Sequence, residues 1–413
     1  MSNLIIGKKK AIFDVLLNIT AAALPIAMLQ LVVYPMAAKI LGGDEYGLML
    51  TIYSIWILVS NALGNVLNNI KLLKVQEYEK LGDEGDVALF VRRWLALGSV
   101  IVFVVIWIYC GDFSPIHVLL GTLVSIFIFL KAYLEVGFRI KLNFVAILIN
   151  NALLSAGYFI GYFIFKASGI WEFIFLIGYV LSSIFCVLKT RLLKEKPKKT
   201  SLYPSVNKDS HSLLIASVIN TLINYADKLV LYPLMGGTAV AIYYTATILG
   251  KITGMLTGPI NSVFLSYIAR WDESRAGFFF KILGIGVVIS ITGYGVTMLV
   301  ARPVIGLLFP QWLEEVMDII PLTTVTIMLT VLASLLQPFV LKYCKMEWQI
   351  AISATGSAAY FIFALIFWHF FGLKGFCIGT IIGIIVKLVI MISVYYKTMK
   401  RNRMEVEDTV LDS

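Results

Sequence analysis

Charge is scarce in this sequence. Only 14% of its 413 residues are Asp, Glu, Lys or Arg, while 60% are hydrophobic. A water-soluble chain of that composition would carry much of its apolar area on its surface, so a soluble globular fold is excluded and a bilayer remains as the solvent. Metal-ligating residues are equally thin. Cys110, Cys186, Cys344 and Cys377 lie in or beside apolar runs without CxxC spacing and read as small hydrophobes, and the three histidines, His117, His211 and His369, are scattered. The sequence lacks a phosphate-binding GxxxxGKS or GxxxxGKT loop, an HExxH and a GxSxG, which removes the basis for ATP hydrolysis and common hydrolase chemistry; no cofactor is expected. No stretch alternates polar and apolar residues as a membrane β-barrel would.

What is present is a succession of apolar runs of about 20 residues or more, each enough to cross ~30 Å of hydrocarbon as a helix. Helices satisfy the backbone within lipid, so the expected fold is an all-α polytopic membrane protein. Twelve spans are expected, near 15–40, 46–72, 88–110, 115–137, 143–165, 170–189, 212–235, 239–267, 277–301, 316–341, 349–371 and 373–396. The opening KKKAIFDVLL resembles a signal peptide, but Asp14 interrupts it and apolar sequence runs on to Ile40, which favours a retained first helix. With both termini on one side, that side collects most of the 34 Lys and Arg, including Lys8 to Lys10, Arg92, Arg93, the run Lys189 to Lys208 and Lys397 to Arg403. Lys39, Lys166, Arg302 and Lys374 fall opposite, and Lys228, Lys251 and Lys387 fall inside spans. The bias makes the termini cytoplasmic and accounts for the net charge of +10 as a topological signal beside anionic lipid, with no nucleic-acid partner.

The hexapeptide LVVYPM at 31–36 returns as LVLYPL at 229–234. Gly42-Gly43 and Gly236-Gly237 follow, and in that register Gly64, Asn65 and Asn68 align with Gly258, Pro259 and Ser262. Each copy then leads to a polar loop, KVQEYEKLGDEGD in the first half and ARWDESRA in the second. The reading is a duplication into two homologous six-helix bundles: residues 1–188, a basic cytoplasmic linker 189–210, residues 211–397, and a cytoplasmic tail 398–413. Six is even, so both halves enter the membrane in the same sense, and their interface is where repeat-built transporters bind cargo and rock. Pro35 and Pro233 then mark equivalent kinks near the outer ends of helices 1 and 7.

These stretches, LVVYPMAAKILGGDEYGLM in the first half and NYADKLVLYPLMGGTAVAIYYTATILGK with GPINSVFLSYIARW in the second, resemble the polysaccharide-transporter family of Wzx-type O-antigen flippases, relatives of the multidrug and toxin exporters. Span count, basic middle loop and length extend the likeness over nearly the whole chain. The resemblance implies a MATE-like fold and a flippase in the bacterial inner membrane. Its cargo would be an undecaprenyl-diphosphate-linked oligosaccharide, moved from the cytoplasmic to the periplasmic leaflet by alternating access, beside a polysaccharide polymerase and chain-length regulator.

The spans also carry polar residues that lipid would penalise, a charge at the bilayer centre costing about 2.5–3.5 kcal/mol on insertion scales. Asn220, Asn224 and Asp227 share one face of helix 7, with Lys228 adjacent; Lys251 and Asn261 lie on helix 8; Asn61, Asn65 and Asn68 form a stripe on helix 2; Asn18 and Gln30 lie on helix 1. Each asparagine alone serves equally as interhelical packing, whereas three on one stripe favour a cavity wall. Asp227 reads first as the structural partner of Lys228 or Lys251 and second as a proton-coupling group. The two lysines leave the interior cationic, which suits a diphosphate. Lys387 faces either a cavity or the cytoplasmic interface. Lys131 and Glu135 read as an i, i+4 pair at the cytoplasmic edge, and Tyr243, Tyr244 and Tyr267 as interfacial anchors or sugar-stacking rings. The rival readings are a multidrug exporter of the same fold, which wants more acidic residues inside; a lipid II flippase, expected to be longer; a membrane glycan polymerase or glycosyltransferase, for which large outer loops and a DxD are lacking; and a channel.

Overall fold

The computed structural model describes residues 16–110, 115–255, 276–344 and 346–411. Among these no strand occurs, and the helices are α1 (Leu16–Leu81), α2 (Asp86–Cys110), α3 (Pro115–Leu134), α4 (Val136–Ile140), α5 (Phe144–Ser168), α6 (Glu172–Lys189), α7 (Tyr203–Met255), α8 (Ala276–Leu308), α9 (Leu313–Tyr343) and α10 (Met346–Leu411). Asp14, Gly258, Pro259, Asn261, Ser262 and Tyr267 lie outside the described residues. The protein is an all-α polytopic membrane protein: nine of its described helices are long and apolar enough to cross a membrane.

Three of those helices are pairs of arms joined by one residue. Gly42 (φ 71°, ψ −172°) breaks α1, Gly236 (φ 78°, ψ −179°) breaks α7 and Gly372 (φ 58°, ψ −137°) breaks α10. Counting arms on either side of these breaks gives one helix for each of the twelve expected spans. A positive φ is open to glycine and costs an L-residue about 1–2 kcal/mol, so the glycine pairs of the repeat are the turns themselves. Gly42 and Gly236, the first glycines of the two pairs, take nearly identical backbone angles. The expected kinks at Pro35 and Pro233 fall instead at these glycines, and both prolines sit inside helix. What Pro35 does is local: it lacks an N–H and crowds the preceding carbonyls, and the turn just before it, Met28–Val33, is wound wide as π-helix.

The chain forms two compact units, 1–240 and 241–413. In the first, α5 and α6 pack along their length, α6 also lies on α3, and α3 meets the second arm of α1. The glycine turns meet there too. Asp44 Oδ1 accepts from the Thr238 amide at 3.0 Å and from its hydroxyl at 2.7 Å, and a Cβ on Gly47 or Gly237 would collide with the opposing backbone. An aromatic cluster fills the same end, with Trp56 6.0 Å from Trp171 and 5.4 Å from Phe175, and Tyr53 stacked on Phe175 at 5.1 Å.

At the other end the polar linker is bound down. Buried Lys71 on α1 reaches Glu84 at 2.6 Å and Glu195 at 2.8 Å. Lys198 pairs with Asp83 at 2.6 Å, and fully buried Asp86 accepts the Thr200 amide and hydroxyl as well as the Tyr78 hydroxyl. Burial pushes the Glu195 carboxyl above its usual range, and the hydrogen bond and charge of Lys71 offset part of that rise. The Lys198 pair is largely exposed and worth ~1 kcal/mol or less.

In the second unit α9 packs between α8 and α10. Its core centres on Phe279 stacked on Tyr395 at 3.9 Å with Phe339 against both. The arms of α10 approach each other along Gly375, Gly379 and Gly383, where side chains would strike opposing backbone.

Candidate functional site

The first unit contains a polar cavity of about 540 Å³ lined by Asn18, Asn61, Asn65, Asn68, Leu72, Lys131, Ala132, Glu135, Arg139, Leu142, Phe144 and Ile147. Its construction follows from local sequence. The second arm of α1 bears Asn61, Asn65 and Asn68 about one turn apart, so all three reach one wall, while Gly64 between them lets the arm settle onto α3. Asn61 ends a second π-wound segment, Ile57–Asn61, and such wide turns recur at functional sites. The opposite wall comes from α3 and α4, where Lys131, Glu135 and Arg139 are spaced by four.

Buried Asn68 ties the walls together. Its Nδ2 donates to the Ala132 carbonyl at 2.8 Å, and its Oδ1 accepts from Arg139 Nη1 at 2.6 Å. The same Nη1 donates to Asn69 Oδ1 at 3.1 Å. The guanidinium is thus held by two amides that carry no charge to neutralise it, and its Nη2 and Nε have no partner among the described residues. Lys131 lies 2.7 Å from Glu135, both about four-fifths covered, so these two charges cancel. What remains is one positive fork at a wall of amides. Such a surface donates bidentately to a planar anionic oxygen group and exchanges hydrogen bonds with hydroxyls.

The α4–α5 turn sets Arg139's position. Leu142 sits at φ 50°, rare for a non-glycine residue, and Asn143 caps α5 by accepting from the Ala146 amide at 3.0 Å.

The expected site residues are distributed unevenly. Asn61, Asn65 and Asn68 come together in this cavity with Asn18. Gln30 lies in the first π-wound turn with its Oε1 buried and without a hydrogen-bond partner among the described residues. Asp227 and Lys228 are buried side by side on α7, Lys228 Nζ lying 3.5 Å from Asp227 Oδ1 and 5.0 Å from the Tyr225 ring. Asn220 and Asn224 are on the same helix, their side chains outside those described. Lys251 belongs to the second unit, 5.5 Å from the Tyr244 ring. Lys387 rests its methylene stem on Gly356, also in the second unit. Arg139 was not legible as a site residue, although its spacing from Lys131 and Glu135 carried the signal.

No known protein family and no curated protein matches the sequence. Solved structures do match. The lipid II flippase MurJ in an inward closed conformation is 16% identical, with 97% of this chain and 93% of that chain covered, at a TM-score of 0.68. A multidrug resistance MATE family transporter of the MOP superfamily is 17% identical in its inward-facing conformation, covering 93% of this chain and 98% of that one, at 0.62. Its outward-facing conformation matches at 0.57. The chain has the MATE-like fold. At these identities the likeness is one of fold.

Proposed function

We propose that the protein is a flippase, not an enzyme. It carries an undecaprenyl-diphosphate-linked oligosaccharide, an O-antigen or related surface polysaccharide repeat unit, from the cytoplasmic to the periplasmic leaflet of a bacterial inner membrane. The observation that carries this reading is the Arg139 fork set at the end of an asparagine wall. A phosphate oxygen pairs with the free guanidinium donors, and the sugars exchange hydrogen bonds with Asn61, Asn65 and Asn18. Neutral amides suit this task because they bind hydroxyls without adding charge to a membrane-embedded cavity.

In this reading the two six-helix repeats, joined by the linker, alternate access, with both termini cytoplasmic and the polymerase and chain-length regulator as downstream partners. Lys228 and Lys251 are further cationic candidates for the cargo's phosphates, with Asp227 beside Lys228. A multidrug exporter would need a free carboxylate for a cationic drug. Glu135, the carboxylate lining this cavity, is already neutralised by Lys131, which favours an anionic cargo.

The deciding experiment locates lipid-linked oligosaccharide in cells lacking the gene. Repeat units trapped on the cytoplasmic leaflet, released by the wild-type gene and not by Arg139→Ala, support the flippase. Normal lipid intermediates together with hypersensitivity to cationic drugs would replace it with the exporter.

A further inference from the structure

The end of the first unit opposite the linker holds a titratable cluster that the cavity does not use. His117, in the first turn of α3, and Glu172, the first residue of α6, lie 2.8 Å apart between His117 Nδ1 and Glu172 Oε1. Glu172 is 1% exposed and His117 19%, so the carboxylate is sealed while the imidazole reaches the surface. Glu172 Oε2 is buried and has no hydrogen-bond partner among the described residues. Glu45 lies at the start of the second arm of α1, at the same end. The same end of the unit also carries Lys39 and Asp44 on α1, Tyr109 on α2 and Lys166 on α5; Asp44 is occupied by Thr238, and the Tyr109 hydroxyl by the Leu229 carbonyl at 2.6 Å.

We propose that His117 and Glu172 form a proton-binding site at this end of the first unit, with the imidazole as its entry and the free Glu172 oxygen as its buried terminus. The argument is one of charge and access. With the imidazole neutral, the Glu172 carboxylate holds its charge in a sealed place, and a further proton on the pair removes it. A sealed carboxylate oxygen without a donor is the costliest atom of the pair to leave charged. Histidine beside it exchanges protons with water near neutral pH, as an internal lysine or arginine does not. The site also lies where its occupancy is transmitted. The His117–Glu172 contact joins α3 to α6, two helices that pack on each other. This proposal stands apart from the cargo and does not require the flippase reading.

The chain's three histidines make the test direct. Full-length protein labelled with ¹³C-histidine, in lipid nanodiscs, gives one ring resonance for each, and His117→Gln identifies its own. The expected result is a His117 titration between about pH 5 and 8 whose midpoint moves by about one pH unit or more in the fold-conserving Glu172→Gln variant. A protonation-sensitive carboxyl infrared band should disappear in that same variant. A ring that does not titrate, a midpoint unmoved by Glu172→Gln, or a response to sodium in place of pH would each overturn the proposal. Neither readout involves cargo, so a failed flipping assay beside a positive titration counts against the flippase alone.

Discussion

The two units bury different chemistry. Among the described residues the first buries Lys71, Asp86, Glu172, Asp227 and Lys228 together with Asn68, Asn150 and Asn151. The second buries hydroxyls: Thr245, Thr247, Ser290, Thr297, Thr323, Thr324, Thr326 and Thr380. Most of these are satisfied nearby, Thr247 and Thr297 by carbonyls of their own helix, Ser290 by Met328, and Thr326 with Thr380 at 3.0 Å. A hydroxyl that returns its hydrogen bond to the backbone packs helices and holds no ligand. Among the described residues, buried ionic and amide groups therefore belong to the first unit, while the second is held by hydroxyls and apolar contacts.

Substitutions can break that contrast. The largest effect is expected at Arg139: Arg139→Ala removes a charge-assisted contact of about 1.5–3 kcal/mol, reducing flipping roughly tenfold to a hundredfold in a leaflet-accessibility assay, while Arg139→Lys retains charge without the fork and falls between. Gly47→Val should come next. Its side chain must displace the Gly237 backbone, and the melting temperature of detergent-purified protein should fall by several degrees. Asn65→Ala should lower flipping a few-fold, the worth of about one neutral hydrogen bond. In the second unit Thr380→Val should leave transport within twofold of wild type; a loss matching that of Arg139→Ala would erase the distinction between the units.

The smallest effect is a pH slope. Because burial raises the Glu195 carboxyl, the folded protein holds its proton to higher pH than the unfolded chain does. Stability should therefore decline as pH rises from the ordinary carboxylate value near 4.3 through the raised one. In Glu195→Gln that part of the slope should flatten in melts recorded between about pH 4 and 6.

The frame was legible because hydropathy and glycine report directly on membrane helices and their turns. Asn61, Asn65 and Asn68 were legible because a straight helix converts their spacing into a stripe. Arg139 was not, since its reach depends on α3 breaking at Glu135 and on the left-handed turn at Leu142, and neither has a strong local signature. The contacts of the linker were not legible for a different reason: nothing in a basic composition says that Glu195 finds a buried lysine on α1 or that Asp86 takes the Thr200 amide and hydroxyl.

The contact between Asp44 and Thr238 is asymmetric by necessity. The residues are 194 positions apart, the same offset that relates the two glycine turns, so each holds in its turn the place that the other holds in the second. An aspartate at both places would set two carboxylates against each other, and a threonine at both would forgo the charge. Two turns that match in backbone angles therefore have to differ in side chain where they meet: one supplies the acceptor and the other its donors.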